Sequence, residues 1–197
     1  NWKIWVAIII TLGLTAPLLY SQLKPYQKKR VTDFVGKPSY HVRQALIAIG
    51  SGGVEGKSKE DATQTQLKFL PVSSTDFIFA YLGERFGFKG MITLILLYMF
   101  LMFNLLYISA MYATDYLIKA FASGLAFLFF VYMGVNIYMV IGLAPVVGLP
   151  LPMFSHGGTS FIIFAIIFGI LQNLIAFKDY SRYNSDSKIV MISKDQP

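Results

Sequence analysis

The chain has 197 residues, of which 55% are hydrophobic and only 14% are charged, with a formal net charge of +7. Soluble domains average about 25% charged residues, so this composition excludes an ordinary soluble domain and predicts a membrane protein. There is no cysteine, which excludes a disulfide framework and thiolate chemistry.

Four stretches without charge predict membrane spans, because a helix needs about 20 apolar residues to cross the hydrocarbon layer. In chain order they cover about residues 4–23, 90–114, 121–141 and 161–177. The first is too long for a signal peptide and has no small-residue cleavage site. The chain starts with Asn1 rather than Met, so we expect it to be a fragment of a longer protein.

Residues 22–89 form a large loop between the first two predicted spans, and it holds most of the 17 basic residues. The positive-inside rule would place this loop in the cytoplasm, but the loop is at the length limit of that rule, so charge alone leaves the orientation open. Near its centre, apolar residues at helical spacing predict an amphipathic helix at an interface: Val42, Ala45, Leu46 and Ile49.

The next segment, "GSGGVEGKS", resembles a phosphate-binding loop, yet its first glycine is displaced by one residue from the required spacing. It also follows a predicted helix, whereas a phosphate-binding loop follows a strand. We therefore expect a helix end at Gly50, Gly52 and Gly53 followed by a turn, with no bound nucleotide. The loop has no basic face that would predict nucleic-acid binding.

Asp76 is the first candidate for chemistry, at the start of a helix predicted to begin near Phe77. The local sequence favours a capping role for this carboxylate, and the functional alternative is an acid at the mouth of a span. Glu84 lies two turns further along the same helix, next to Arg85. His156 is a lone histidine in a loop, and no residue spacing indicates a zinc site or a Ser-His-Asp triad.

Residues 142–160, "GLAPVVGLPLPMFSHGGTS", interrupt the last apolar run with three prolines and a glycine pair. Prolines at this density cannot continue a helix. Irregular backbone at membrane depth is tolerated where it is buried in protein or lines a cavity. This pattern predicts a re-entrant or surface hairpin that forms the wall of a site.

Five ordered motifs then carry a resemblance over about residues 26–174: "YHVRQALIAIGSGGVEGK", "TQTQLKFLP", "TDFIFAYLGE", "NIYMVIGLAPVVGLPLP" and "SHGGTS". The chain resembles the SEDS family of RodA/FtsW-type peptidoglycan glycosyltransferases, and looks more like its elongation member than its division member. The resemblance implies an all-α polytopic membrane fold of ten helices, of which this chain is the last four. It also implies that loop 22–89, with its short helices, is extracytoplasmic and that the tail 178–197 is cytoplasmic.

The resemblance further implies polymerisation of lipid II, an undecaprenyl-diphosphate-linked disaccharide-peptide, during cell elongation and shape maintenance in the bacterial inner membrane. It assigns Asp76 as the catalytic carboxylate, acting as a general base or as the ligand of a divalent cation, Mg²⁺ or Mn²⁺. We expect the substrate to contact the hairpin and the basic and polar loop residues: Arg43, Gln64, Gln66, Lys68, Thr75, Glu84, Ser155, His156, Gly157, Gly158, Thr159 and Ser160. Lys57 is a further cation that could attract the anionic head group.

Four positions depart from the family pattern and indicate a divergent subgroup: Val72, Ser74, Arg85 and His156. The expected partners are lipid II, a class B penicillin-binding protein that acts as a transpeptidase, and membrane proteins of the elongation complex. Two alternatives remain, a flippase or transporter of lipid-linked precursor and a membrane scaffold for a penicillin-binding protein. We expect the chain alone to be inactive, because the remaining helices would supply the rest of the cavity.

Overall fold

The computed structural model describes residues 2–36, 38–67, 69 and 75–194. It describes the backbone but not the side chains of residues 7–9, 12, 16, 18–19, 35, 65–66 and 182–194. The described part of the chain is helical and contains no strand, which confirms the predicted all-α fold. The helices are α1 (Trp2–Gln22), α2 (Pro25–Val35), α3 (Tyr40–Gly52), α4 (Thr63–Gln66), α5 (Ile78–Met111), α6 (Tyr116–Val140) and α7 (Gly158–Lys194).

Within the described part of the chain, three helical segments are long and apolar enough to cross a membrane: all of α5, all of α6, and Gly158–Ser181 of α7. They fall on three of the four predicted spans, as expected for a multi-pass membrane protein. The fourth prediction, residues 4–23, falls on α1, and its crossing of a membrane stays a prediction. Two helices extend beyond the limits of the predicted spans: α5 begins at Ile78 and α7 continues to Lys194.

The core forms where α5, α6 and α7 meet. Its α5 and α6 residues recur every three or four positions, which gives each helix one buried stripe. Phe129 of α6 is at the centre, and its ring packs 5.0 Å from that of Phe164 and 5.6 Å from that of Phe168, both in α7. The opposite sides of these helices expose large apolar residues, among them Leu97 and Phe100, as lipid-facing surfaces do.

Helix α3 packs against the first part of α5 through small residues. Ala45, Ala48 and Gly52 are buried, and a Cβ added at Gly52 would collide with the backbone of Gly83. The predicted apolar face is therefore only partly right, because Leu46 is 42% exposed and Ala48 is buried in its place. Helix α3 thus packs against α5, and its location at an interface stays a prediction.

The glycine-rich turn after α3 docks onto a kink in α5. Gly53 ends α3 with a φ of 57°, whereas Gly50 and Gly52 lie within the helix, so the predicted helix end shifts to Gly53. The kink is at Gly87, where φ is 63° and ψ is −161°. Three backbone hydrogen bonds of 2.9 to 3.2 Å join the turn to the kink: Lys57 N to Glu84 O, Phe88 N to Gly53 O, and Lys89 N to Val54 O. The segment that resembles a phosphate-binding loop is thus a structural joint.

Candidate functional site

Asp76 lies in the turn that precedes α5. The residue in the capping position of that helix is Phe77, which offers no side-chain cap. The Asp76 carboxylate accepts no hydrogen bond from any residue that the structure describes, so the capping interpretation is wrong. The side chain is half-buried. No hydrogen bond from the described residues therefore explains why a carboxylate is placed at the start of this helix.

The Asp76 carboxylate lies against the hairpin formed by residues 141–157, which are all non-helical. A Cβ built on Gly148 would be 3.2 Å from Asp76 Oδ2, so the two residues are in contact. Gly148 has a φ of 80°, in the region that favours glycine. A residue with a side chain there would be strained and would also press on the carboxylate.

Asn136 of α6 connects Asp76 to the hairpin. Its Nδ2 donates to Asp76 O at 2.8 Å and to Leu149 O at 2.6 Å. Asn136 is completely buried. One amide thus satisfies two backbone carbonyls in two irregular segments, which is what burial of such segments requires.

Ser155 makes a second connection within the same cluster. Its Oγ donates to Thr75 O at 2.8 Å and accepts from Leu151 N at 2.8 Å. Tyr98 of α5 adds a third, donating its hydroxyl to Pro152 O at 2.6 Å. The hairpin is therefore held by side chains of α5 and α6 as well as by its own serine.

A cavity of about 190 Å³ lies beside this cluster, between α2, the start of α3 and the hairpin. Arg30 of α2 reaches across and donates to Val147 O at 3.0 Å, one residue before Gly148. Two buried polar atoms near the cavity, Ser39 Oγ and His41 Nδ1, have no partner among the described residues. The lining combines charged, polar and apolar groups: Arg30, Asp33, Phe34, Pro38, Ser39, His41, Val42, Gly142, Ala144, Pro145 and Val146.

Glu84 belongs to a different cluster, between α4 and α5. It is completely buried, and its Oε1 accepts from Gln64 N at 3.0 Å. The neighbouring Arg85 donates to Lys57 O at 3.2 Å, so its guanidinium supports the glycine-rich joint. In this cluster the Gln64 main chain and the Glu84 carboxylate support each other.

The structure brings together three of the predicted site residues, Thr75, Asp76 and Ser155. Gly157 and Ser160 lie where the hairpin meets α7, and Ser160 Oγ donates to Gly157 O at 2.9 Å. Gly158 and Thr159 begin α7, with Thr159 exposed. Arg43 and His156 are both exposed. Lys68, Val72, Ser74 and the Gln66 side chain lie outside the described residues.

Three residues that shape the site were missed by sequence reasoning: Asn136, Gly148 and Tyr98. Asn136 did carry a signal, because a polar amide within an apolar span marks either helix contacts or function. Gly148 lies in the hairpin stretch that the sequence singled out, but it was not distinguished there as a single residue. Tyr98 carried no signal, since it does not stand apart from the other aromatic residues of the chain.

The described residues contain no group of three or more His, Cys, Asp or Glu side chains that could hold a metal ion. Asp76 supplies a carboxylate beside the hairpin, at Gly148. A site with one carboxylate fits the way Mg²⁺ binds with substrate phosphates, through one or two carboxylates and several waters. It does not fit a closed protein cage.

The apolar helices define the class of the protein as a polytopic membrane protein. Its candidate site lies at one end of the helix bundle, where the Asp76 carboxylate meets the non-helical hairpin. Residues 1–180 match the model of the FtsW/RodA/SpoVE family, described as cell cycle protein, so the chain belongs to this family. The predicted SEDS resemblance is thereby confirmed.

The curated relatives share its sequence at high identity. The chain is 52% identical over 184 residues to the peptidoglycan glycosyltransferase MrdB of Helicobacter pylori strain ATCC 700392, with 93% of this chain and 48% of that protein covered. It is 40% identical over 181 residues to the protein of the same name in Escherichia coli K12, covering 88% and 49%. The chain thus spans about half the length of the curated relatives it matches.

A solved structure shares the fold with a TM-score of 0.62 and 25% identity, covering 86% of this chain and 48% of the other. That structure concerns the coordination of polymerisation and crosslinking by a peptidoglycan synthase complex.

Proposed function

We propose that the protein containing this chain is a peptidoglycan glycosyltransferase that polymerises lipid II in the bacterial cytoplasmic membrane during cell elongation. The names of the relatives support the activity, and the apolar helices support the location. The observation that carries the proposal is the Asp76 carboxylate, which is half-buried against Gly148 and accepts no hydrogen bond from the described residues. A base must keep its lone pairs available to substrate, and no described residue donates a hydrogen bond to this carboxylate.

In the proposed reaction, Asp76 takes the proton of the acceptor sugar hydroxyl. The resulting oxygen attacks the anomeric carbon of the donor, a new glycosidic bond forms, and the bond to the diphosphate breaks. The undecaprenyl diphosphate leaves as an anion, so this step needs no general acid. One carboxylate is therefore enough, unlike in glycoside hydrolysis, which uses two.

A divalent cation, Mg²⁺ or Mn²⁺, fits this site as one shared with the substrate. Asp76 would be its protein ligand, and the diphosphate oxygens of the donor would complete the set. When bound, the cation would neutralise the charge that develops on the leaving diphosphate. The carboxylate would then still orient the acceptor hydroxyl towards the donor.

The partner we propose is a class B penicillin-binding protein, a transpeptidase that would crosslink the new strands. The solved structure reported above supports this, because it concerns the coordination of polymerisation and crosslinking in one complex. The α2–α3 region and the loop around α4 lie outside the three candidate spans, and we propose that they offer the surface for such a partner.

The test compares polymer formation from purified lipid II by the full-length protein and by its Asp76→Asn variant, each with the transpeptidase and Mg²⁺ or Mn²⁺. We expect the variant to make no polymer and yet to melt like the wild type, because the lost charge takes part in no structural bond among the described residues. Asp179→Asn in α7 is the matched control, because it removes the same charge at an exposed residue outside the candidate site, and it should polymerise normally. Normal polymerisation by Asp76→Asn would reject the proposal and favour a flippase or scaffold.

A further inference from the structure

The fully buried Asn136 uses both of its amide hydrogens on backbone carbonyls. The acceptors are Asp76 O at 2.8 Å and Leu149 O at 2.6 Å. The opposite orientation of the amide would place its oxygen against these two carbonyl oxygens, so the hydrogen-bond network itself fixes the orientation. Asn136 therefore donates two hydrogen bonds that no apolar side chain can replace.

The two carbonyls belong to the two segments that hold the Asp76 carboxylate in place. One is the carbonyl of Asp76 itself, and the other follows Gly148, the residue that the carboxylate contacts. Ser155 adds to this arrangement by donating to Thr75 O at 2.8 Å. Two consecutive carbonyls before α5 are thus held from α6 and from the hairpin.

Helix α6 gives Asn136 a rigid base. The residue lies one turn before the end of α6 at Val140, and its neighbours on the same stripe, Met133, Met139 and Val140, are buried. A donor on a packed helix holds its acceptors more tightly than a donor on a loop. The position of Asp76 is therefore tied to the core of the bundle.

We propose that Asn136 is a positioning residue, which sets the place of the Asp76 carboxylate by holding the Asp76 and Leu149 carbonyls together. This inference rests on the proposed function of Asp76. Asn136 itself touches no reacting atom, and it acts through the backbone that carries the base and through the hairpin that the base contacts.

Loss of this clamp should lower the rate of the chemical step more than substrate binding. A displacement of about 1 Å of a catalytic group can cost about 100-fold in rate. We therefore expect Asn136→Leu in the full-length protein to reduce kcat by about 10- to 100-fold. KM should change by less than about threefold, because the clamp holds the base and not the substrate.

Asn104→Leu is the matched control, since it makes the same replacement at an exposed asparagine of α5. It should keep the kcat of the wild type. An Asn136→Leu variant that folds and keeps the wild-type kcat would overturn the inference. A change in KM alone would overturn it as well, because it would assign Asn136 to substrate binding.

Asn136→Asp provides a second variant with nearly the same shape, should the leucine variant fail to fold. Only its protonated form can donate, and then only one hydrogen bond. The kcat of this variant, divided by that of the wild type at the same pH, should be below one and should fall as the pH rises. A ratio of one at every pH would contradict the clamp.

A readout without catalysis separates this inference from the proposed function. The chain has no cysteine, so Asp76→Cys creates a single thiol in this part of the protein. Any other cysteine of the full-length protein is first replaced, and the labelling rate of this thiol by a maleimide is then measured with and without Asn136→Leu. We expect labelling to be several-fold faster with Asn136→Leu. Unchanged labelling refutes the positioning role. If the wild type makes no polymer but labelling accelerates, the proposed function fails and the positioning of residue 76 stands.

Discussion

Replacement of Gly87 by alanine tests whether the kink in α5 is an obligatory joint. Gly87 has a φ of 63° and a ψ of −161°, a backbone conformation that is open essentially to glycine. A Cβ at this position would be 2.6 Å from the carbonyl carbon and oxygen of Val54. Carbon atoms in good contact are about 3.5 to 4.0 Å apart, so the turn after α3 would have to move away.

The cost of this replacement follows from two contributions. The unfavourable backbone conformation costs about 1 to 3 kcal/mol. Opening the joint also weakens the bonds from Phe88 N to Gly53 O and from Lys57 N to Glu84 O, both 2.9 Å long. Each such bond contributes about 1 kcal/mol net. We therefore expect Gly87→Ala to lower the free energy of unfolding by about 3 to 5 kcal/mol.

The assay is thermal unfolding of the purified full-length protein in detergent, followed by size-exclusion chromatography of the fraction that stays folded. Gly124→Ala in α6 is the matched control, because a Cβ there has no atom within 4 Å and its backbone is helical. This control should melt at or slightly above the wild type, since alanine favours helix by about 1 kcal/mol over glycine. If Gly87→Ala melts together with Gly124→Ala, the joint does not carry the stability assigned to it.

Three further perturbations address other parts of the structure. Tyr98→Phe should cost about 1 to 2 kcal/mol, measured by thermal unfolding, because it leaves the buried Pro152 carbonyl without its donor; an unchanged melting temperature would contradict this. Glu84→Ala should destabilise by about 1 to 3 kcal/mol and Glu84→Gln by less, because glutamine still accepts from the α4 backbone; equal losses would show that the charge matters. The hydrogen bond and charge of Lys178 lower the pKa of Asp115 from its ordinary 3.8. This stabilisation is present above that value and is lost as the pH falls through the lower folded pKa, so acid should lower the melting temperature of the wild type more than that of Lys178→Met.

The sequence predicted the helices well where a long uncharged run marks them. The uncharged runs fall on α5, α6 and the first part of α7, because both lipid and core select apolar residues. The helix predicted to begin near Phe77 begins at Ile78, one residue later. The prediction failed for the buried face of α3, because this helix packs closely on α5, with Gly52 against the Gly83 backbone, and buries the small Ala48 where the larger Leu46 was expected.

The candidate site was predicted in part. The hairpin and Asp76 were accessible from the sequence because prolines, glycines and an acid stand out among apolar residues. The capping role was the favoured local interpretation of Asp76, and it failed because the α5 cap falls one residue later, at Phe77. The kink at Gly87 could not be predicted, since its conformation depends on a turn that lies about thirty residues earlier in the chain.

The hairpin explains why such a site depends on residues that lie on other elements of the structure. A chain rich in proline forms no helix, so its carbonyls need donors from elsewhere if they are to be buried. Three hairpin carbonyls accept hydrogen bonds from side chains of three different helices. The donors are of three residue types: Arg30 for Val147, Asn136 for Leu149 and Tyr98 for Pro152. Asn136 and Tyr98 are buried on the packed helices α6 and α5, whereas Arg30 is an exposed residue of α2. The position of the Asp76 carboxylate against Gly148 is thus a property of the whole bundle, and a mutation in the core of α5 or α6 can move it without touching the site.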